Sequence, residues 1–332
     1  MTALPHSLPR LLPNGIDDRL PPTAFARQKI MGDLLQFFYH QGYEFIDPPL
    51  LEYATSLSSL GGEDIINHSF ASFDPLSGKP LVIRSDMTIG VARIAADKLA
   101  TSPRPLKLCY GGDIVRQEAI NGKKQLTQVG VEIIGGEKDI AILETLFQSL
   151  DGMLTRPIWC DFALPAMTHS ILNQCPDDIK KLAENYIRHK DVASLKAMNN
   201  KTIAPLIPLL TTTGLCDDIL PKLADDKNNQ SIGTMINQLI ELINHLKQKI
   251  TSLAMPPNLS IDITELLGFD YKTGFAFTLF DQQLKTTLGR GGHYRVMQHG
   301  KESGEEAVGF SLYLDNLLPM VKPDIINPNK KG

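Results

Sequence analysis

The segment from Tyr110 to Glu132 constrains the fold more than any other part of the chain. It reads as two strands joined by a polar loop. The alternate positions of the two strands are Ile114, Arg116 and Glu118, followed by Gln128, Gly130 and Glu132. Because side chains alternate across a strand, each triple lies on one face. If both faces point the same way, they form a polar cup for a small, partly cationic ligand. The alternative is the solvated face of an antiparallel hairpin.

Composition excludes several classes of function. The chain has 332 residues and a net charge of -4, and its basic residues do not cluster, so binding to nucleic acid is not expected. Its cysteines form no CxxC pair, which predicts neither a zinc site nor disulfides but reduced thiols in a cytoplasmic protein. No apolar run approaches the roughly 18 residues of a membrane span. We therefore expect no cofactor, no metal and no membrane contact.

The first half of the chain alternates helices with short strands. Apolar residues at helical spacing predict a helix from Thr23 to about residue 41. A short strand over residues 80–83 then turns into a helix over residues 89–99, and Asp86 suits the N-cap of that helix. The hairpin described above follows, so an antiparallel pair lies at the centre of the sequence.

The second half predicts a different organisation. Residues 172–253 are helical and poor in strands, whereas sheet patterning returns later. A turn is the more frequent meaning of the glycine-rich residues 289–295, and residues 309–320 predict a closing helix. The strands and segregated helices together imply an α+β fold. The predicted units are a sheet-bearing catalytic-type domain over 1–171 and 254–321, a helical insertion over 172–253, and a disordered tail over 322–332.

Residues of two further segments could contribute to a ligand site. Arg84 and Asp86 lie at a strand-to-helix turn, where side chains often reach ligands, although a salt bridge and a helix cap explain them equally well. Tyr271 precedes a strand with alternating aromatic residues. It could donate a hydrogen bond to a ligand, or it could be an amphipathic aromatic residue at a sheet edge.

Taken in order, these segments resemble the catalytic domain of class II aminoacyl-tRNA synthetases, and of histidyl-tRNA synthetase in particular, over about residues 10–320. The segments are LPNGIDDRLP, GYEFIDPPLLEY (motif 1), IRSDMT, IVRQE with QLTQVGVEIIG (motif 2), LLGFDYKTG and GRGGHY (two histidine-specific loops), and VGFSLYLDNL (motif 3). The resemblance implies an antiparallel sheet flanked by helices, with Pro49 in a dimer interface. It also implies a histidine pocket lined by Asp86, Thr88, Arg116, Gln128, Glu132 and Tyr271.

The chain departs from this family where phosphate would bind. The arginine that opens the first histidine-specific loop is replaced by Leu267, and the arginine that ends motif 3 is replaced by Asn316. Neither residue carries a cation that could stabilise phosphate charge, which leaves Arg116. The second loop has His293 where an arginine is expected. We also expect no anticodon-binding domain after motif 3, and therefore no tRNA recognition.

A kept amino-acid pocket beside lost phosphate arginines resembles the regulatory subunits of ATP phosphoribosyltransferase, which have no catalysis of their own. The resemblance implies that a self-dimer assembles with the short-form catalytic subunit into a hetero-octamer. It further implies that the chain is needed for the first step of L-histidine biosynthesis and for allosteric feedback inhibition by L-histidine. The alternative is a truncated synthetase-like enzyme that activates an amino acid for a non-tRNA acceptor, which Arg116 and Glu118 keep open.

Overall fold

The computed structural model describes residues 12–61, 68–136, 139–225, 230–266, 272–297 and 304–326. Its strands are β1 (Glu44–Phe45), β2 (Leu51–Tyr53), β3 (Ala71–Phe73), β4 (Pro80–Ile83), β5 (Leu106–Ile120), β6 (Lys123–Ile134), β7 (Trp159–Ala163), β8 (Thr213–Leu215), β9 (Asn258–Asp262), β10 (Lys272–Asp281), β11 (Thr286–Val296) and β12 (Glu305–Tyr313). Its helices are α1 (Thr23–His40), α2 (Ala54–Gly61), α3 (Met87–Ala96), α4 (Asp139–Leu150), α5 (Pro165–Leu172), α6 (Asp177–Arg188), α7 (Val192–Ala197), α8 (Leu206–Leu209), α9 (Cys216–Asp225), α10 (Gln230–Ile250), α11 (Leu314–Leu317) and α12 (Pro323–Ile326).

One large mixed sheet organises the described part of the chain. Its strand order is β1-β5-β6-β12-β11-β10-β7-β9-β8, and a separate small sheet has the order β2-β4-β3. In the part of this order that runs β5-β6-β12-β11-β10-β7, every pair of neighbouring strands is antiparallel. The pairs β1 with β5 and β7 with β9 are parallel. An antiparallel centre with helices packed around it confirms the predicted α+β class.

Helix α1 shows how the sequence buries one face against the sheet. Its residues Ala26, Ile30, Leu34 and Phe38 recur every four positions and are all buried. They join the larger hydrophobic core with residues of β6 and α4. This burial, rather than a capping side chain, stabilises α1, because its N-cap makes no side-chain hydrogen bond. The helix predicted from Thr23 to about residue 41 is confirmed.

The central hairpin is set by a two-residue turn. Asn121 and Gly122 have φ angles of 51° and 80°, the left-handed conformation typical of a tight Asn-Gly hairpin turn. The resulting register places Tyr110 opposite Gly130 and Gly112 opposite Gln128. Residues that lie opposite one another in an antiparallel pair point to the same face. The even-numbered faces of the two strands therefore do point the same way.

Two predicted elements in the second half are wrong. The glycine-rich residues 289–295 lie within strand β11, between β10 and β12, instead of forming a turn. Residues 309–313 finish strand β12 and only 314–320 turn helically, because β12 is inserted between β6 and β11 and is buried on both faces. A continuous apolar run of this kind fits a buried strand and a helix equally well in sequence.

The predicted domain division stays a prediction, but its parts can be described. Residues 172–253 contain helices α6 to α10 and one short strand, β8, which pairs with β9 of the large sheet. Within the predicted tail, Pro323–Ile326 form helix α12, and Ile325 and Ile326 pack against the main core, while the disorder predicted over 322–332 stays a prediction. Residues 327–332 lie outside the described part of the chain.

Candidate functional site

The first part of the site is the beginning of helix α3. Asp86 is the N-cap, as predicted, and its carboxylate accepts a hydrogen bond of 2.7 Å from the backbone N–H of Thr88. Gln128 reaches across from β6, so that its amide N–H donates to Asp86 over 3.2 Å while its carbonyl accepts from the N–H of Met87 over 2.8 Å. The amide of Gln128 thereby fixes the Asp86 carboxylate beside the sheet.

The second part is a buried hydroxyl network on the sheet itself. The Tyr110 hydroxyl lies 3.3 Å from the Thr88 hydroxyl, 3.0 Å from a Glu132 carboxylate oxygen and 2.8 Å from the Ser311 hydroxyl. Burial raises the pKa of Tyr110 well above its usual value, and the charges of Glu132 and Asp86 raise it further. Tyr110 therefore stays protonated at neutral pH and orients Glu132 as a fixed acceptor.

Glycines make the floor on which these side chains lie. A Cβ atom on Gly309 would come within 1.7 Å of a Glu132 carboxylate oxygen. A Cβ on Gly130 would lie 2.1 Å from the backbone oxygen of Phe310 and 2.7 Å from the Tyr110 hydroxyl. Both positions therefore exclude any side chain.

Arg116 closes the site beside the end of β4. The paired register of β5 and β6 is interrupted after Val115, and Arg116 instead forms an isolated bridge with Ser69. Its side chain is half-buried and donates a hydrogen bond of 3.3 Å to the backbone oxygen of Ser85, next to Asp86. Its buried Nε makes no hydrogen bond to any described residue. The guanidinium thus retains hydrogen-bonding capacity at this end of the site.

The last strand of the site, β12, adds Tyr313 opposite Gln128. Tyr313 is 4% exposed. Burial raises its pKa; the positive charges of Arg290 and Arg116 oppose that rise, and the charge of Asp86 adds to it. The charges of two guanidinium groups and a carboxylate therefore act on one protonated hydroxyl.

The structure brings together most of the predicted site. Five of the six predicted residues lie on the shared face or at the beginning of α3: Asp86, Thr88, Arg116, Gln128 and Glu132. The sixth, Tyr271, lies outside the described residues. Glu118 does not join them, because its side chain is 75% exposed and lies 3.5 Å from His68.

Sequence reasoning missed Tyr110, Arg290, Ser311 and Tyr313. The signal that identifies three of them is alternation: Arg290, Ser311 and Tyr313 lie on strands β11 and β12, where the local sequence predicts a turn and a helix. Once β11 and β12 are recognised as strands, a period of two places Gly309, Ser311 and Tyr313 on one face. Tyr110 shares its face with Arg116 by the same period.

The region where a synthetase would hold phosphate is occupied by internal contacts. The buried amide of Asn316 donates a hydrogen bond of 2.9 Å to the backbone oxygen of Thr287. The neighbouring Asp315 is ion-paired with Arg19 at 3.1 Å and accepts from the backbone N–H of Thr127 at 2.6 Å. Leu267, the other changed position, lies outside the described residues. Asn316 is thus committed to holding α11 on β11.

Comparison with known proteins identifies the family. The histidyl-tRNA synthetase family profile matches residues 15–317. An ATP phosphoribosyltransferase regulatory subunit from Rhodospirillum centenum is 31% identical over 315 residues, which cover 93% of this chain and 80% of the relative. A regulatory subunit of the same name from Paramagnetospirillum magneticum is 31% identical over 319 residues, covering 93% and 81%. This chain belongs to the ATP phosphoribosyltransferase regulatory subunits, within the histidyl-tRNA synthetase family.

Solved structures agree with this assignment at the level of the fold. An ATP phosphoribosyltransferase regulatory subunit/histidyl-tRNA synthetase from Bacillus halodurans superposes with a TM-score of 0.78 at 22% identity, covering 94% of this chain and 83% of that one. A histidine–tRNA ligase subunit from Alicyclobacillus acidocaldarius superposes with a TM-score of 0.72, also at 22% identity, covering 96% and 99%. These likenesses confirm the class II synthetase sheet. The names of the relatives agree with the prediction of a regulatory rather than catalytic subunit.

Two further observations concern the described residues alone. No helix among them is long and apolar enough to cross a membrane. Likewise, no group of three or more His, Cys, Asp or Glu side chains in the described ranges is arranged to hold a metal ion.

Proposed function

We propose that this chain is a non-catalytic, histidine-binding subunit that activates a short-form ATP phosphoribosyltransferase catalytic subunit. In this role it would assemble as a hetero-octamer in the cytoplasm, act in the first step of L-histidine biosynthesis, and bring feedback inhibition by L-histidine to the complex. The names of its relatives support the proposal of a catalytic partner subunit. The geometry of the candidate site supports the proposal that the ligand is L-histidine.

The observation that carries this proposal is the pairing of two carboxylates with a cation over a glycine floor. Glu132 and Asp86 are held in fixed positions, and carboxylates bind an imidazole N–H and an α-ammonium group respectively. Arg116 offers a guanidinium to an α-carboxylate. These are the three polar groups of free histidine. The commitment of Asn316 to Thr287 argues against binding of an ATP phosphate there.

The direct test is titration calorimetry of L-histidine into the purified chain, alone and with the catalytic subunit. We expect binding of one histidine per chain, co-purification of the two proteins, and catalytic activity that requires this chain and falls when histidine is added. D-histidine is the matched control, because it exchanges the positions of the groups on the α-carbon while keeping charge and size.

The competing hypothesis is an enzyme that activates an amino acid. Histidine-dependent exchange between pyrophosphate and ATP measures that reaction, and we expect no exchange above background because two of the phosphate-facing arginines are replaced by Leu267 and Asn316. Robust exchange would overturn the regulatory proposal. So would the absence of histidine binding both alone and in the complex.

The proposed self-dimer is supported by an apolar surface around the small sheet. Six exposed large apolar side chains of the described residues fall within or beside β1 to β4; we call them the small-sheet surface: Phe45, Leu50, Leu51, Tyr53, Phe73 and Leu76. Phe73 is 70% exposed and Leu76 is 96% exposed. Leu51 and Tyr53 lie on the same face of β2, and exposed apolar side chains that cluster on one face are usually covered by a partner. The motif 1 segment, with Pro49, lies in the same region.

We expect the double substitution Leu51→Asp and Tyr53→Asp, on one face of β2, to convert the dimer to a monomer, raising its dissociation constant by about 100-fold or more, because it places two charges in an apolar interface. Light scattering after size exclusion measures the mass. The matched control is Leu284→Asp, since Leu284 is 48% exposed but lies between β10 and β11. A double variant that stays dimeric would place the interface elsewhere.

A further inference from the structure

Arg290 lies on the same face of the large sheet as the candidate site. In strand β11 it is directly opposite Ser311 of β12, which is in turn opposite Gly130 of β6 and, beyond that, Tyr110 of β5. Residues opposite one another across antiparallel strands point to one side of a sheet. The side chain of Arg290 therefore leaves the sheet on the side where Tyr110 and Ser311 are hydrogen-bonded at 2.8 Å.

The electrostatic environment of Tyr313 connects Arg290 with Arg116. Tyr313 lies two residues beyond Ser311 on the same face, and its hydroxyl experiences the charges of Arg290, Arg116 and Asp86 together. Arg116 is fixed next to Asp86 by its bond to the backbone oxygen of Ser85. Arg290 and Arg116 thus approach one region from two different strands, β11 and β5.

The charge balance of the site favours a role for the Arg290 guanidinium in ligand binding. The site contains the carboxylates of Asp86 and Glu132, and charges brought together away from water must be balanced by opposite charges. A free amino acid adds one ammonium and one carboxylate. The arginine that the family has at the start of the first histidine-specific loop is Leu267 here, so this position supplies no positive charge.

We propose that Arg290 is a specificity residue that binds, together with Arg116, the α-carboxylate of the free amino acid in this site. It takes over on β11 the charge that the chain has lost at Leu267. This inference rests on the proposed function, since it names the group that holds one end of the proposed ligand. Its consequence is that the site selects amino acids with a free carboxylate over amines and alcohols that share the same side chain.

The test compares two ligands that differ only in this group. L-histidine carries the carboxylate, whereas L-histidinol has a hydroxymethyl group in its place. Titration calorimetry of Arg290→Gln should show L-histidine binding weakened by about 10- to 100-fold, the usual worth of a charge-assisted hydrogen-bonded pair. Binding of L-histidinol should change by less than about threefold, because it does not use the lost charge.

Two further variants complete the experiment. Arg290→Lys retains the charge but not the planar fork, so it should recover part of the affinity for L-histidine. Arg295→Gln is the matched control: Arg295 lies on the same strand, is exposed, and is ion-paired with Glu306 on the opposite face. It should bind both ligands as the unsubstituted chain does.

Each remaining outcome overturns the inference. If Arg290→Gln weakens the binding of L-histidine and L-histidinol equally, Arg290 stabilises the structure and does not bind the α-carboxylate. If it weakens neither, Arg290 does not contact the ligand. In both cases the proposed function stands, provided that the unsubstituted chain binds L-histidine. If the unsubstituted chain binds no L-histidine, both proposals fail together.

Discussion

Glu132→Gln is expected to weaken L-histidine binding by about 100-fold or more, because removing one charge from a buried, hydrogen-bonded pair typically costs about 2–5 kcal/mol. Glu132 is 1% exposed, and its carboxylate accepts a hydrogen bond of 3.0 Å from Tyr110. The amide has the same shape, so it can keep the bond from Tyr110. It carries no charge for an imidazole or imidazolium group. Titration calorimetry measures the loss.

A structural control separates this effect from unfolding. The free energy of unfolding of Glu132→Gln should not decrease, because replacing a buried carboxylate with a hydrogen-bonded amide removes a desolvation cost. The matched substitution is Glu306→Gln, at an exposed residue that is ion-paired with Arg295 on the neighbouring strands. Glu306→Gln should bind histidine normally. Unchanged histidine affinity in Glu132→Gln would show that Glu132 does not contact the ligand.

Gly130→Ala is the substitution with the largest expected effect on stability. Its Cβ would lie 2.1 Å from the backbone oxygen of Phe310, so strands β6 and β12 would have to separate. Overpacking of this kind costs about 1–3 kcal/mol, and a rigid backbone oxygen places this site at the upper end. The same displacement moves the Tyr110 hydroxyl, so histidine binding should be lost as well. Denaturant unfolding and calorimetry measure the two effects.

Gly32→Ala provides a control of the opposite sign. Gly32 lies on the exposed side of α1, and a Cβ built there meets no atom within 4 Å. Alanine in the interior of a helix is more stable than glycine by about 0.5–1 kcal/mol, so Gly32→Ala should increase the free energy of unfolding and leave ligand binding unchanged. A Gly130→Ala protein as stable as the unsubstituted chain would show that the sheet yields at this position.

Much of the fold follows from local patterns. The buried stripe of α1, the cap at Asp86 and the shared face of the hairpin all arise from residues close together in sequence. Strand β12 does not: its residues 309–313 read as part of a helix, and only its insertion between β6 and β11 determines that they are extended. The tertiary context here overrides the local pattern.

The dependence of β11 and β12 on long-range pairing also explains which site residues the sequence predicts. Asp86, Gln128 and Glu132 lie on elements that were assigned correctly, so their faces could be predicted. Arg290 and Tyr313 lie on the two elements that were assigned wrongly, and no local feature of a glycine-rich segment reveals that it is a central strand. The half of the site contributed by β11 and β12 therefore depends on long-range pairing.

Helix α3 has a mechanical consequence. Its first turn is fixed by Asp86, whereas further along a Cβ at Gly90 would come within 2.6 Å of Pro48, and Arg93 is ion-paired with Glu52 of β2. Ten helical residues span about 15 Å and bend little. The candidate site thus contacts the first turn of α3, while Pro48 and Glu52 contact the same helix further along, so a tilt of α3 changes both sets of contacts together.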